Sequence, residues 1–163
     1  MSIIVDGTNG ITFPSGISQP SASASLAGLV SFSYYQGSSQ SFSSGSAIKI
    51  TNFTVKDWDT HNYFDTTNNR FLPLIGGYYL ISGGVNYTAG TGSNNYLALY
   101  KNGSAYKRII QVNSSVYSLN GTVIVQLNGS TDYVELFQLQ LSSTSSSSGD
   151  ISTYFQGHLL RGL

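Results

Sequence analysis

Tyr96-Leu97-Ala98-Leu99-Tyr100-Lys101-Asn102-Gly103 sets the period of the whole chain. Leu97 and Leu99 alternate with Tyr96, Ala98 and Tyr100, the two-residue repeat of a strand, and Asn-Gly takes the positive φ angles that a tight reversal requires. The stretch predicts a strand folding back onto one that contains Ile109-Ile110. The same pattern returns in Val123-Ile124-Val125-Gln126-Leu127, Asn128-Gly129 and Tyr133-Val134-Glu135-Leu136-Phe137, which predicts a second hairpin.

On either side of these hairpins the period of two persists and turn residues interrupt it often, the pattern of an all-β sandwich or barrel. Val30, Phe32 and Tyr34 share one face of the opening strand, and Tyr79, Ile81, Val85 and Tyr87 share one face of a later one. A last strand is expected from about Ile151 to Leu160, after the serine-rich loop from Ser142 to Gly149. Tyr96 and Tyr100 oppose Leu97 and Leu99, while Tyr133 and Phe137 oppose Val134 and Leu136. Such strands are apolar on both faces. A two-layer sandwich buries one face of each strand, so the second face calls for a cover, which association of subunits would supply.

Before Leu29 the character changes. Residues 17–27 are small and polar, the composition of a connector, and the domain boundary is placed at Gly28. Residues 1–27 then form an N-terminal arm and residues 28–163 a single domain. Within the arm, Ile3, Val5, Ile11 and Phe13 are apolar around Asn9-Gly10 and Pro14-Ser15-Gly16, which suggests a small hairpin.

Composition narrows the function classes. Charged residues make up 9% of the 163 residues, against roughly 25% in an ordinary soluble domain. The seven cations and seven carboxylates balance and form no block, so neither nucleic acid nor an anionic membrane is an expected partner. Without cysteine there is no disulfide framework, thiolate nucleophile or cysteine zinc site. A signal peptide is not expected, since residues 1–6 lack both a basic start and a long apolar stretch, and a membrane-inserting span is not expected, since no run of about 18 apolar residues occurs. The Asn-x-Ser/Thr triplets at Asn52, Asn86, Asn102, Asn113, Asn120 and Asn128 are read as chance in a chain rich in those residues.

Phe53, Asp59, Phe64, Phe71, Gly77 and Tyr79 stand at the spacings of a family signature: Phe, five residues, Asn or Asp, four residues, an aromatic or Leu, six residues, Phe, five residues, Gly-x-Tyr. The Leu99–Gly103 hairpin and the closing Phe155-Gln156-Gly157-His158-Leu159-Leu160 fit the same pattern in order. From about Leu29 to Leu160 the chain resembles the globular head of complement component 1q, whose fold is shared with tumour necrosis factor. Ile81 and Gly83 depart from the family's aromatic positions. The resemblance implies a ten-strand jelly-roll sandwich, associated as a homotrimer about a threefold axis, with variable loops at its outer end. Thr91, Asn94, Ser145 and Ser147 are the candidate outer-loop contacts.

The leading segment, Val5-Asp6-Gly7-Thr8-Asn9-Gly10-Ile11-Thr12-Phe13-Pro14-Ser15-Gly16, resembles the opening of tailed-phage structural proteins. It implies a virion protein, assembled in the host cytoplasm, whose residues 1–20 contact other phage structural proteins, with Ile3, Val5, Ile11 and Phe13 as the candidate anchor. The head would display itself on a fibre, appendage or decoration, and a host glycan or surface protein is its candidate ligand. The alternative is a cellular or spore-surface binding module of the same fold.

Enzymatic chemistry is not expected. Glu135 is the single Glu, and sugar cleavage needs two opposed carboxyl groups. Asp57, Asp59 and Asp65 cluster around Trp58, but carboxylates in such turns usually accept backbone N–H bonds. His61 and His158 have no identifiable nucleophile or acidic partner, and His158 reads as packed or at an interface. Trp58 reads as a structural side chain, with stacking on a ligand as the alternative. No metal or cofactor is implied.

Overall fold

The computed structural model describes residues 4–6, 10–12, 30–142, 144–145 and 151–163. In chain order the strands are β1 (Ile4–Asp6), β2 (Gly10–Thr12), β3 (Ser31–Tyr35), β4 (Ser41–Phe42), β5 (Ile48–Lys49), β6 (Val55–Asp59), β7 (Phe64–Asp65), β8 (Arg70–Phe71), β9 (Gly77–Asn86), β10 (Asn95–Lys101), β11 (Ser104–Val112), β12 (Ser118–Leu127), β13 (Val134–Leu139), β14 (Thr144–Ser145) and β15 (Tyr154–Gly162). No helix occurs among the described residues.

Two antiparallel sheets carry the fold. One has five strands in the order β12-β9-β15-β3-β6; the other has six, β11-β10-β13-β8-β7 with β5 also paired to β13. The expected ten strands are thus exceeded, because the chain between Ile48 and Phe71 is cut into short strands by turns. Asn52, Asn62 and Asn69 hold positive φ there, which breaks regular pairing. In the arm, β1 pairs antiparallel with β2, Val5 facing Ile11 in register. The expected anchor residues Ile3 and Phe13, the boundary at Gly28 and the loop residue Ser147 lie outside the described residues.

The alternation read from sequence places the core. Val30, Phe32 and Tyr34 enter it from β3 and the residue before it, Tyr79, Ile81 and Val85 from β9, Leu97 and Leu99 from β10, and Val134 and Leu136 from β13. Each such burial contributes about 1.5–3 kcal/mol. The signature spacing corresponds to an aromatic cluster. Phe32 stacks on Phe71 with ring centroids 4.2 Å apart and meets Phe155 edge-on at 5.3 Å. Phe53 packs against both Phe64 and Phe155, and Phe71 against Tyr79. The Tyr79 hydroxyl donates to the Ile75 carbonyl at 2.6 Å, satisfying its one polar atom beside the core.

Gly157 is required by close approach: a Cβ there would lie 2.7 Å from Ile81 Cδ1 and 2.8 Å from the Leu80 carbonyl oxygen. The departures from the signature are accommodated together. Ile81 is fully buried, and Gly83 leaves the space that Leu136 fills from the opposite sheet.

The first expected hairpin is present. Asn102 and Gly103 have φ of 53° and 76°, and β10 pairs with β11 across them. The second is not a hairpin. Strand β12 lies in the five-stranded sheet and β13 in the six-stranded sheet, so Asn128-Gly129 carries the chain between layers. The Asn128 side-chain oxygen accepts from the backbone N–H groups of Ser130, Thr131 and Asp132, and builds a wider loop than an Asn-Gly reversal.

Candidate functional site

The outward face of the five-stranded sheet is organised in rows that cross its strands. Register aligns Trp58, Ser33, Gln156, Ser82 and Thr122 across β6, β3, β15, β9 and β12. The neighbouring row holds Ser31, His158, Leu80 and Ile124. The first row is hydrogen-bonded at both ends: Ser33 Oγ donates to Asp57 Oδ2 at 2.8 Å, and the Ser82 and Thr122 hydroxyls are 2.9 Å apart. Between the rows runs an open groove of about 510 Å³ lined by Trp58, Leu80, Ser82, Gln156 and His158 among others.

Large apolar side chains are exposed among the polar ones on this face. Trp58 is 50% exposed, Ile124 47% and Leu160 48%, and Tyr78 is also exposed beside them. Trp58 is thus not packed inside the subunit. A bulge between Ser33 and Tyr34 opens the pairing of β3 with the edge strand β6, and Trp58 lies on the solvent side. His158 is exposed on the same face, as β15 alternation requires, and not packed inside the subunit.

The tyrosines that suggested a second apolar face lie on the other sheet, and much of their cover is local. Tyr100 stacks on Phe137 at 3.8 Å, Arg70 lies 4.7 Å over the Tyr133 ring and Arg108 lies 4.6 Å over Tyr96. The unpartnered apolar surface is instead the Trp58 face, whose components are scattered over four strands and so form no contiguous run in the sequence.

The acidic cluster is a turn device. Asp59 accepts from the N–H groups of His61, Tyr63 and Phe64, at 3.3, 3.2 and 2.9 Å. Asp65 accepts from the Asn68 side chain at 2.7 Å and from Arg70 at 3.1 Å, and these bonds, led by that of Asn68, hold its carboxyl below the usual range. Glu135, 7% exposed, pairs with Lys49 at 2.7 Å. Among the described residues no three His, Cys, Asp or Glu side chains gather into a metal-binding group.

Of the outer-loop candidates, Asn94 is exposed, with positive φ. Thr91 is corrected: it is fully buried, and its hydroxyl both donates to the Val116 carbonyl and accepts from the Val116 N–H. It ties two loops together and offers nothing to a ligand. Ser145 lies in β14, paired with Ser41 of β4.

No family model matches the chain. The chain is 40% identical over 90 residues to the uncharacterized protein YqcC of Bacillus subtilis strain 168, a match covering 48% of this chain and 24% of that protein, so the chain spans about a quarter of that relative's length. Among solved structures it is similar to the globular domain of zebrafish complement 1qA, with TM-score 0.59 and 16% identity over 82% of this chain and 98% of that one. Eiger, a tumour necrosis factor of S. frugiperda, gives TM-score 0.60 and 10% identity over 82% and 94%, and murine APRIL 0.56 and 10% over 80% and 98%. The two sheets, their order and these likenesses together establish a jelly roll of the complement-1q and tumour-necrosis-factor type.

Proposed function

We propose that this chain is a non-enzymatic binding and display module that works as a homotrimer, with the Trp58 face of the five-stranded sheet turned towards the threefold axis. One observation carries the reading: Trp58, Tyr78, Ile124 and Leu160 form an exposed apolar surface on a chain with few charges to keep it in solution. Several large apolar side chains exposed on one sheet face are what association of copies would cover. The fold resemblance supports three copies as the number.

The module is placed in a tailed-phage virion, as a fibre, appendage or decoration knob held by residues 1–27, with Ile3, Val5, Ile11 and Phe13 in the contact. What supports this placement is the likeness of the leading segment to phage structural proteins. The head then presents its outer surface to the host for adhesion. Sedimentation equilibrium tests the oligomer: the expected mass is three chains, and Ile124→Asp is expected to yield folded monomers. A wild-type monomer at micromolar concentration overturns the trimer. Deleting residues 1–20 tests the anchor, with loss of the protein from purified particles expected and normal incorporation overturning it.

A second reading, a cellular or spore-surface binding module, is favoured by the bacterial origin of the YqcC relative. Genes for portal, capsid or tail proteins beside this one support the virion reading, and a neighbourhood without them supports the second.

A further inference from the structure

The outward face of the six-stranded sheet holds a separate cavity of about 180 Å³, lined by Tyr96, Ala98 and Tyr100 of β10 and by Tyr106, Lys107 and Arg108 of β11. Ala98 is small and buried at its base, and the larger side chains rise around it. Tyr106 is 42% exposed, so an aromatic surface is open to solvent beside two cations.

Of the seven Lys and Arg residues, Lys49, Arg70 and Lys101 pair with Glu135, Asp65 and Asp132. Lys56, Lys107, Arg108 and Arg161 have no carboxylate partner among the described residues; Lys107 lies 5.5 Å over the Tyr106 ring and donates to the Ile124 carbonyl at 3.4 Å. The Arg108 guanidinium is nevertheless held in place. It lies 4.6 Å over the Tyr96 ring, and its Nη1 donates to Gln111 Oε1, while Gln111 Nε2 donates to Asn94 Oδ1 at 2.9 Å. A guanidinium fixed along one edge keeps other N–H donors for a ligand, in the fork geometry that matches a carboxylate. Tyr96 and Tyr100 both line the cavity, and their hydroxyls add polar atoms to it.

We propose that this cavity binds one carboxylate-bearing sugar unit, a uronic acid residue of an acidic polysaccharide. Its carboxylate pairs with Arg108 and Lys107, and the C–H face of its ring lies on tyrosine. The cavity's volume is below that of ordinary drug-sized sites, so it holds a single ring and not an extended segment. A peptide strand would call for a long groove or a bare sheet edge, and the β11 edge carries Lys107 and Arg108, the kind of residues that discourage strand addition. A free inorganic anion would leave the aromatic surface unused.

The inference rests on the adhesion part of the proposed function for its purpose, but the cavity belongs to one subunit and lies on the opposite sheet from the Trp58 face, which it meets at the Lys107 bond to the Ile124 carbonyl. Isothermal titration and NMR shift mapping of the full chain with tri-galacturonate, a neutral maltotriose and a hexaglutamate peptide test it. Expected is saturable, salt-weakened binding of the galacturonate with shifts at Tyr96, Tyr106 and Arg108, and at least tenfold weaker binding by Arg108→Gln and by Tyr96→Ala, both with unchanged circular dichroism. Equal binding of maltotriose, tighter binding of hexaglutamate, or no binding of any probe overturns the assignment. Mass measured on the same samples separates the two readings. A trimer that ignores galacturonate removes this site alone, and a monomer that binds it removes the trimer and supports the site.

Discussion

Asp132 illustrates how a few charged side chains serve this sparsely charged protein. Partial burial opposes its ionisation, but bonds from Lys101, Asn102 and the Asn128 backbone outweigh that and lower its pKa, as the Asn68 and Arg70 bonds do for Asp65. A carboxylate whose folded pKa is depressed contributes stability that is present above its unfolded pKa and lost as pH falls through the folded one. The urea midpoint is therefore expected to hold steady at neutral pH and to fall below about pH 4. Asp132→Asn is expected to lower the midpoint at pH 7 and to shrink the loss between pH 7 and pH 3. An unchanged acid profile in that variant would remove Asp132 from the explanation. In the core, Phe53 contacts two other rings with no exposure, and Phe53→Ala is expected to cost about 3–5 kcal/mol in the same assay.

Turns that look alike in sequence do different work. Gly103 and Gly129 both follow Asn and have φ of 76° and 74°. A Cβ on Gly103 would meet nothing closer than the Tyr133 hydroxyl at 3.5 Å, whereas one on Gly129 would lie 2.1 Å from the Gly76 backbone nitrogen. Gly103→Ala is thus expected to cost about 1 kcal/mol, the strain of a left-handed residue alone. Gly129→Ala adds displacement of the neighbouring backbone and is expected to cost at least twice as much in thermal and urea unfolding. Equal losses would show that the inter-sheet connection yields easily. Strand β13 is similarly double-natured. Its Leu136 enters the apolar core while Gln138 on the same strand is fully buried and accepts from the Tyr87 hydroxyl at 3.2 Å. A glutamine in an alternating strand gives no sign of burial, because the hydroxyl that donates to its oxygen comes from 51 residues away.

For the molecule as a whole, two opposite outer faces have different chemistry. The Trp58 face is broad and exposes large apolar side chains among polar ones, and suits association with copies of the same chain. The Tyr96 face is small, aromatic and cationic, and remains outside when the first is covered. In that arrangement three equivalent cavities point away from the axis, and weak single-site binding is multiplied by attachment to one rigid body. Leu160→Asp, on the apolar face and away from the cavity, should then weaken adherence of the protein to polysaccharide-coated surfaces by more than it weakens binding of a soluble trisaccharide, which surface plasmon resonance against the two formats measures. Equal effects on both would disconnect oligomerisation from adhesion.

The alternation around Asn102-Gly103 and along the other strands was enough to specify strands and core faces, because each depends on neighbours a few residues apart or on a period of two, while the jelly roll came from the family resemblance carried by the aromatic spacing from Phe53 to Tyr79 and the closing Phe155-Gln156-Gly157. They could not reveal that Asn128-Gly129 crosses between layers, since the same dipeptide serves a hairpin and a crossover and the distinction lies in which sheet receives the next strand. Nor could they place Trp58 outside, bury Thr91, or bring Tyr96 and Tyr106 around Arg108. Those outcomes depend on register, bulges and loop packing between residues distant in the chain. Adjacency of that kind exists only once the sheets have formed.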